Sequence, residues 1–222
     1  MVKVHVNGVE VDVPPGSYII DAVEEAGFKV PLLCYLQGVF SEATCRICVV
    51  KLNGRVVPAC RYPVQEGASI VTHDEELISL RRLNLELLLA IHTISCWNCS
   101  VKGSCTLVSL AKEMLIEGIP VCSECPLYGE LCLLSYRIPC LGPLTIAGCN
   151  AECTKLGAPC TGCRGFILSK GVWREALKHY KMRNVDVESL LSAIRVFWNN
   201  LPEDLSKLIK EVSPSNGQQP EV

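Results

Sequence analysis

The sequence predicts an α+β protein made of several small modules strung along one chain of 222 residues. Three observations predict it. Valines alternate with polar residues on either side of Asn-Gly pairs, which marks hairpins. After residue 74 the apolar period lengthens to that of helices. The 15 cysteines gather in loop-rich stretches. Aromatics make up only 6% of the chain, so large-side-chain burial is thin and the cysteines are the obvious supplement to the core. A hydrophobic fraction of 49% against 20% charged excludes a disordered chain, and a net charge of -2 leaves no basic field for nucleic acid.

The elements follow in order. Residues 2–13, VKVHVNGVEVDV, predict a hairpin closed by a type I′ turn at Asn7-Gly8. Pro14-Pro15-Gly16 breaks the strand, and Ser17 is the expected N-cap of a helix to Gly27 that presents Ile19, Ile20, Val23 and Ala26 on one face. Residues 46–52 and 55–59 make a second hairpin around Asn53-Gly54, and Ser69 to Thr72 reads as an edge strand. Hairpin, helix and hairpin together suggest a β-grasp-like domain over residues 1–74. Leu77, Leu80, Leu87, Leu88 and Ile91 predict a helix from Asp74 to near His92, and a second helix covers 105–116, giving a short helical module over 75–117. Residues 118–165 hold eight cysteines and seven glycines and read as too irregular to bury much core. Residues 166–212 predict helices at 172–181, 187–200 and 203–212. The stripe Leu190, Leu191, Ile194, Phe197 and Trp198 on the middle one reads as a packing face. Residues 213–222, SPSNGQQPEV, read as a disordered tail.

No run reaches the roughly 18 apolar residues of a membrane helix. The richest, Leu83 to Ile94, carries Asn84, Glu86 and His92. Met1 to Gly8 alternates and turns, unlike a signal peptide. A cytoplasmic protein is therefore expected, where many cysteines indicate metal or redox chemistry more often than disulfides.

The cysteines fall into four sets: Cys34, Cys45, Cys48 and Cys60; Cys96, Cys99 and Cys105, with His92 four positions upstream; Cys122, Cys125, Cys132 and Cys140; and Cys149, Cys153, Cys160 and Cys163. Counting His92, they divide into four sites of four. Disulfides would leave one cysteine over. Zinc ribbons place successive Cys-x2-Cys knuckles about 15 to 20 residues apart; here the intervals are 47, 22 and 34 residues. Iron–sulfur clusters need four thiolates, sometimes with a histidine in place of one, and suit loops whose backbone N–H groups turn toward sulfur. Clusters are the preferred reading, with zinc and disulfides as its competitors. His92 alone would be an ordinary helix-end histidine; in register with three cysteines it is a ligand. His5, His73 and His179 lie outside any set and are expected to be solvated. Arg46, Arg61, Lys102, Arg137, Lys155 and Arg164 each stand close in sequence to a ligand and would offset cluster charge.

Residues 30–60, VPLLCYLQGVFSEATCRICVVKLNGRVVPAC, resemble the N-terminal [2Fe–2S] domain of the large iron–sulfur subunit of NADH dehydrogenase (complex I), of diaphorase subunits of NAD-linked hydrogenases and of iron-only hydrogenases. Ala43 departs from the glycine that this family often has before Thr-Cys-Arg. His92 to Cys105 matches the family's histidine-ligated [4Fe–4S] motif spacing for spacing. The segment CSECPLYGELCLLSYRIPCLGPLTIAGCNAECTKLGAPCTGCRG is similar instead to the C-terminal part of cytoplasmic nickel–iron hydrogenase small subunits, which carries two clusters. The resemblances imply one [2Fe–2S] cluster on Cys34, Cys45, Cys48 and Cys60. They imply three [4Fe–4S] clusters: on His92, Cys96, Cys99 and Cys105; on Cys122, Cys125, Cys132 and Cys140; and on Cys149, Cys153, Cys160 and Cys163.

No Gly-x-Gly-x-x-Gly, P-loop or nucleophile elbow occurs in the sequence. The expected role is therefore electron transfer without catalysis of its own. The resemblances imply a flavoprotein NAD(P)H-oxidoreductase subunit on one side and, on the other, a catalytic redox subunit (hydrogenase-like, or a tungsten or molybdenum enzyme) or a ferredoxin. A cluster-binding redox sensor or assembly protein remains the alternative.

Overall fold

The computed structural model describes residues 1–198 and 202–212; the expected tail at 213–222 and the last two positions of the helix expected at 187–200 lie outside them. The chain divides into two compact units, Met1–Ile91 and His92–Val222.

The first unit runs β1 (Val2–Val6), β2 (Val9–Val13), α1 (Ile19–Glu25), β3 (Tyr35–Leu36), β4 (Phe40–Ser41), β5 (Val49–Leu52), β6 (Arg55–Pro58), β7 (Ser69–Val71) and α2 (Glu75–Ile91). Both Asn-Gly turns form as the sequence predicts. Asn7 and Gly8 take φ of 50° and 85°, and Asn53 and Gly54 take 47° and 83°, the left-handed pairs that a type I′ turn requires. The helix expected from Ser17 starts one residue later. Tyr18 is its N-cap, and the Tyr18 N–H donates to the Asp21 carboxylate at 2.7 Å, so the first-turn acid does the capping.

The strand expected at the edge is instead the centre of the sheet. The order is β2-β1-β7-β5-β6, with β7 parallel to β1 and antiparallel to β5. Ile70 at its middle is fully buried with Val4, Val6 and Val50. A strand of three residues opening on a serine looks like an edge in sequence, but covering on both flanks leaves its backbone groups paired on both sides. α1 lays Ile19, Ile20, Ala22 and Val23 into this core, which completes the β-grasp arrangement. α2 begins where the Asp74 carboxylate accepts the Leu77 N–H at 2.8 Å, and it is tied to the sheet by Arg81. That buried guanidinium donates to the carbonyls of Val49 and Thr72, both at 2.7 Å.

The second unit contains α3 (Thr106–Glu113), single 3-10 turns at Cys96–Asn98, Val121–Ser123, Gly129–Leu131 and Leu133–Tyr136, then α4 (Glu152–Lys155), α5 (Lys170–Met182), α6 (Val187–Arg195) and α7 (Glu203–Val212). The glycine- and cysteine-rich segment does bury core, against expectation. Val121, Leu134, Leu141, Leu144, Phe166 and Ile167 pack in one cluster with Trp173, Leu177, Leu190, Ile194, Leu205 and Leu208 of the last three helices. The helices supply the cover that the loops lack. The indole N–H of Trp173 donates to the Ile167 carbonyl at 2.6 Å, and the buried Tyr180 hydroxyl donates to the Cys140 carbonyl at 2.8 Å. The helix expected from 187 ends as α6 at Arg195; its Leu190, Leu191 and Ile194 pack, joined by Trp198 beyond its end, while Phe197 stays exposed. Among the described residues no helix is long and apolar enough to cross a membrane.

Candidate metal centres

The first set surrounds the β3–β4 turn. Cys34 immediately precedes β3, Cys45 and Cys48 lie between β4 and β5, and Cys60 follows β6. Ala43 and Arg46 take φ of 53° and 55°, so the loop bends through left-handed backbone on both sides of Cys45. This is the physical basis for glycine at the Ala43 position: a side chain there carries a strain of roughly 1 kcal/mol. Sγ of Cys34 lies 3.1 Å from Sγ of Cys45 and accepts the Cys45 N–H at 3.5 Å. Burial pushes the Cys48 thiol up to about 12, with Cys60 and Cys45 adding to it. Arg61 donates to the Ser41 carbonyl at 2.7 Å, and the Ser41 hydroxyl donates to the Cys60 carbonyl at 2.7 Å, which pins the rim of the loop.

In the second set Cys96 opens a 3-10 turn, the Lys102 N–H closes a further turn onto the Cys99 carbonyl at 3.2 Å, and Cys105 caps α3. Burial pushes the Cys96 thiol up to about 11; Cys99 and Cys105 add to this and Lys102 opposes it. His92 stands exposed directly after Ile91. His179, expected to be solvated, is buried instead. It lies on the inner face of α5, its ring stacked on Trp97 at 5.7 Å between centroids. Burial, reinforced by Arg183 and Lys102, lowers its pKa to about 4, so the ring is neutral.

The third set forms one pocket. Cys122, Cys125, Cys132 and Cys140 all line it, together with Trp97, Lys102 and Gly142. Gly142 leaves room beside the sulfurs: a Cβ there would lie 3.2 Å from Sγ of Cys122 and 3.6 Å from Sγ of Cys140. Burial raises the Cys122 thiol well above its ordinary value and pushes Cys140 up to about 11.

In the fourth set Cys160 is buried, Cys149 half-buried, and Cys153, on α4, and Cys163 exposed. Burial raises the Cys160 thiol, the Thr145 hydroxyl and Gly162 N–H oppose this, and Cys149 and Cys163 add to it. A Cβ on Gly162, whose φ is 87°, would fall 2.6 Å from the Phe166 ring, so both conformation and space demand glycine. The Cys160 N–H donates to Sγ of Cys140 at 3.3 Å, so the third and fourth sets touch.

The donor chemistry fits iron–sulfur clusters. All fifteen cysteines are free of disulfides. Backbone N–H groups point at sulfur at Cys34 and Cys140, and the third set encloses a pocket with a glycine wall. Among the described residues no three His, Cys, Asp or Glu side chains converge on a single ion position. Cluster ligands do not need such convergence, because each thiolate binds its own iron or shares one with a second. Of the six cations near these cysteines, Lys102 lines the pocket of a set other than its own; Arg164 turns to the Ala147 carbonyl and Lys155 to Glu152.

Comparison with known proteins covers the stretches in which the first two sets lie. Residues 1–75 match the family model of a 2Fe-2S iron-sulfur cluster binding domain. Residues 81–120 match that of the NADH-ubiquinone oxidoreductase-G iron-sulfur binding region. The third and fourth sets lie beyond both. The chain is 31% identical over 121 residues to the NAD-reducing hydrogenase HoxS subunit gamma of Cupriavidus necator, across 54% of this chain and 52% of that one. It is 35% identical over 127 residues to the NADP-reducing hydrogenase subunit HndD of Solidesulfovibrio fructosivorans, across 54% of this chain and 22% of that one. It is 34% identical over 109 residues to the NADPH-Fe(3+) oxidoreductase subunit alpha of Geobacter sulfurreducens, across 48% of this chain and 13% of that one. The chain thus spans about half the length of the first of these relatives and far less of the others. It resembles the iron–sulfur subunits of complex I and of NAD(P)-linked hydrogenases, and it carries binding regions for both cluster types.

Proposed function

We propose that this protein is an iron–sulfur electron-transfer subunit of a multi-subunit oxidoreductase, relaying electrons between a flavin subunit that handles NAD(P)H and a second redox subunit. In this reading it binds one [2Fe–2S] cluster on Cys34, Cys45, Cys48 and Cys60. Three [4Fe–4S] clusters sit on His92 with Cys96, Cys99 and Cys105, on Cys122, Cys125, Cys132 and Cys140, and on Cys149, Cys153, Cys160 and Cys163. The relatives are named as subunits of NAD- and NADP-reducing hydrogenases and of an NADPH-Fe(3+) oxidoreductase, which supports a nicotinamide-linked complex. A reducing cytoplasm, the four-module organisation expected from the sequence, and a hydrogenase-like or ferredoxin partner beyond the last two sets belong to the same proposal.

The observation that carries it is contiguity within the second unit. Lys102 and Trp97 of the second set line the pocket of the third, and the Cys160 N–H of the fourth set donates to Sγ of Cys140 in the third. Sites touching in series suit onward transfer; a sensor needs one site and an output. The clusters, when bound, supply one-electron redox chemistry. The chain's own residues hold them, exclude water through Trp97, Leu134 and Leu141, and aim N–H donors at sulfur.

Anaerobically reconstituted full-length protein should hold about 14 iron atoms, with equal acid-labile sulfide and little zinc. EPR should resolve one [2Fe–2S] and three [4Fe–4S] signals. The reconstituted chain should oxidise NAD(P)H only when a flavin-bearing partner is added. A preparation rich in zinc and free of sulfide would refute the cluster assignment; NAD(P)H oxidation by the single chain would refute the relay role.

A further inference from the structure

Lys102 belongs by sequence to the second cysteine set, between Cys99 and Cys105, and its backbone N–H is bonded to the Cys99 carbonyl at 3.2 Å. Its side chain leaves that loop. The ammonium donates to the Leu127 carbonyl at 2.7 Å and stands 5.5 Å from the centroid of the Tyr128 ring, both in the loop between Cys125 and Cys132. It also lines the pocket that all four cysteines of the third set enclose. The side chain is only half exposed, so its charge is less screened than that of a free surface lysine. One cation is therefore fastened by its backbone to one ligand loop and by its ammonium to the next.

We propose that Lys102 is a positioning residue shared by the second and third cysteine sets, its fixed positive charge raising the reduction potentials of the two clusters together. The proposal rests on the cluster assignment above. A one-electron reduction adds a negative charge to each cluster, and a nearby fixed cation favours that state in both. Acting on both, it leaves the energy step between them nearly unchanged, and it shifts the pair relative to the [2Fe–2S] site and the fourth set.

The test is redox titration of the cluster-loaded full chain, followed by EPR. Lys102→Gln removes the charge and keeps a donor for the Leu127 carbonyl, Lys102→Met removes both, and Lys102→Arg restores the charge. In the glutamine and methionine variants the second and third clusters should both become harder to reduce. At a fixed solution potential near their midpoints the reduced-to-oxidised ratio should fall about tenfold, equal to a downward shift of ~59 mV for one electron. The [2Fe–2S] and fourth-set signals should hold their potentials, and the arginine variant should stay close to the parent. Unchanged potentials in fully loaded neutral variants would overturn the proposal, as would a shift confined to one cluster or spread over all four. Loss of the third cluster from both neutral variants, with the arginine variant intact, would also overturn it and leave Lys102 a structural clamp. A chain that takes up no iron or sulfide at all would defeat the cluster assignment instead, a result that iron analysis separates from the others.

Discussion

In the first unit the sheet and α1 bury a core that is almost wholly aliphatic, and of the four cysteines of the first set Cys48 and Cys60 reach into it. In the second, Cys122, Cys140 and Cys160 are part of the core itself, and Cys96, Cys125, Cys132 and Cys149 pack against it. The difference is one of dependence. Val4, Val6, Val50 and Ile70 are held by a five-stranded sheet whose backbone groups pair with one another, so that unit has a folding force independent of any ligand. The loops around Leu141 and Leu144 lack a sheet and satisfy their backbone through short turns, isolated bridges and single bonds such as Leu141 N–H to the Cys160 carbonyl, and in the proposed reading the sulfurs they bury gain most by being joined to metal.

The largest effect that sharpens this comparison is cluster removal. Stripping iron should abolish hydrogen-exchange protection at Leu141, Leu144, Trp173 and Tyr180 while β1, β5 and β7 remain protected, because metal ligation contributes on the order of 10 kcal/mol to folding at comparable sites. Equal protection in both units of the stripped chain would break the distinction.

A smaller effect should appear in the first unit alone. Arg81→Ala removes two charge-assisted hydrogen bonds, to Val49 and Thr72, and leaves both carbonyls without that donor. Denaturant unfolding should show a loss of about 4 kcal/mol for the sheet unit, with the iron content of the second unit unchanged. A loss that spreads to both units would mean that they fold as one.

The smallest is a pH effect confined to the second unit. His179 has a pKa lowered to about 4 by burial, with Arg183 and Lys102 adding to it. The unfolded chain therefore takes up a proton at about 6.5 that the folded chain refuses until about 4. The stability from a neutral His179 is fully present above 6.5 and is lost as pH falls toward 4, by up to about 3 kcal/mol. His179→Phe should preserve stacking on Trp97 and flatten that part of the acid-stability curve, as followed by tryptophan fluorescence. An unchanged curve would show that the ring is solvated.

What the amino-acid sequence determined by itself was whatever depends on neighbouring residues. The Asn-Gly turns at 7–8 and 53–54 formed as read, because a type I′ turn is set by two residues that tolerate positive φ. The glycines of the cysteine loops were legible in the same way, since Gly162 needs positive φ and leaves no space for a Cβ beside Phe166. Tertiary structure decided what lies far apart in the chain. Whether β7 is an edge or a centre depends on β1, some sixty residues earlier, and the pairing of Asn7 with Thr72 spans 65 positions. The burial of His179, the core made by loops at 121–144, and the reach of Lys102 into the next ligand loop all depend on helices α5 to α7 or on a neighbouring loop closing over them. Local conformation is encoded by the residues that adopt it. Burial is a property of whatever comes to lie on top, and no window of adjacent residues contains that information.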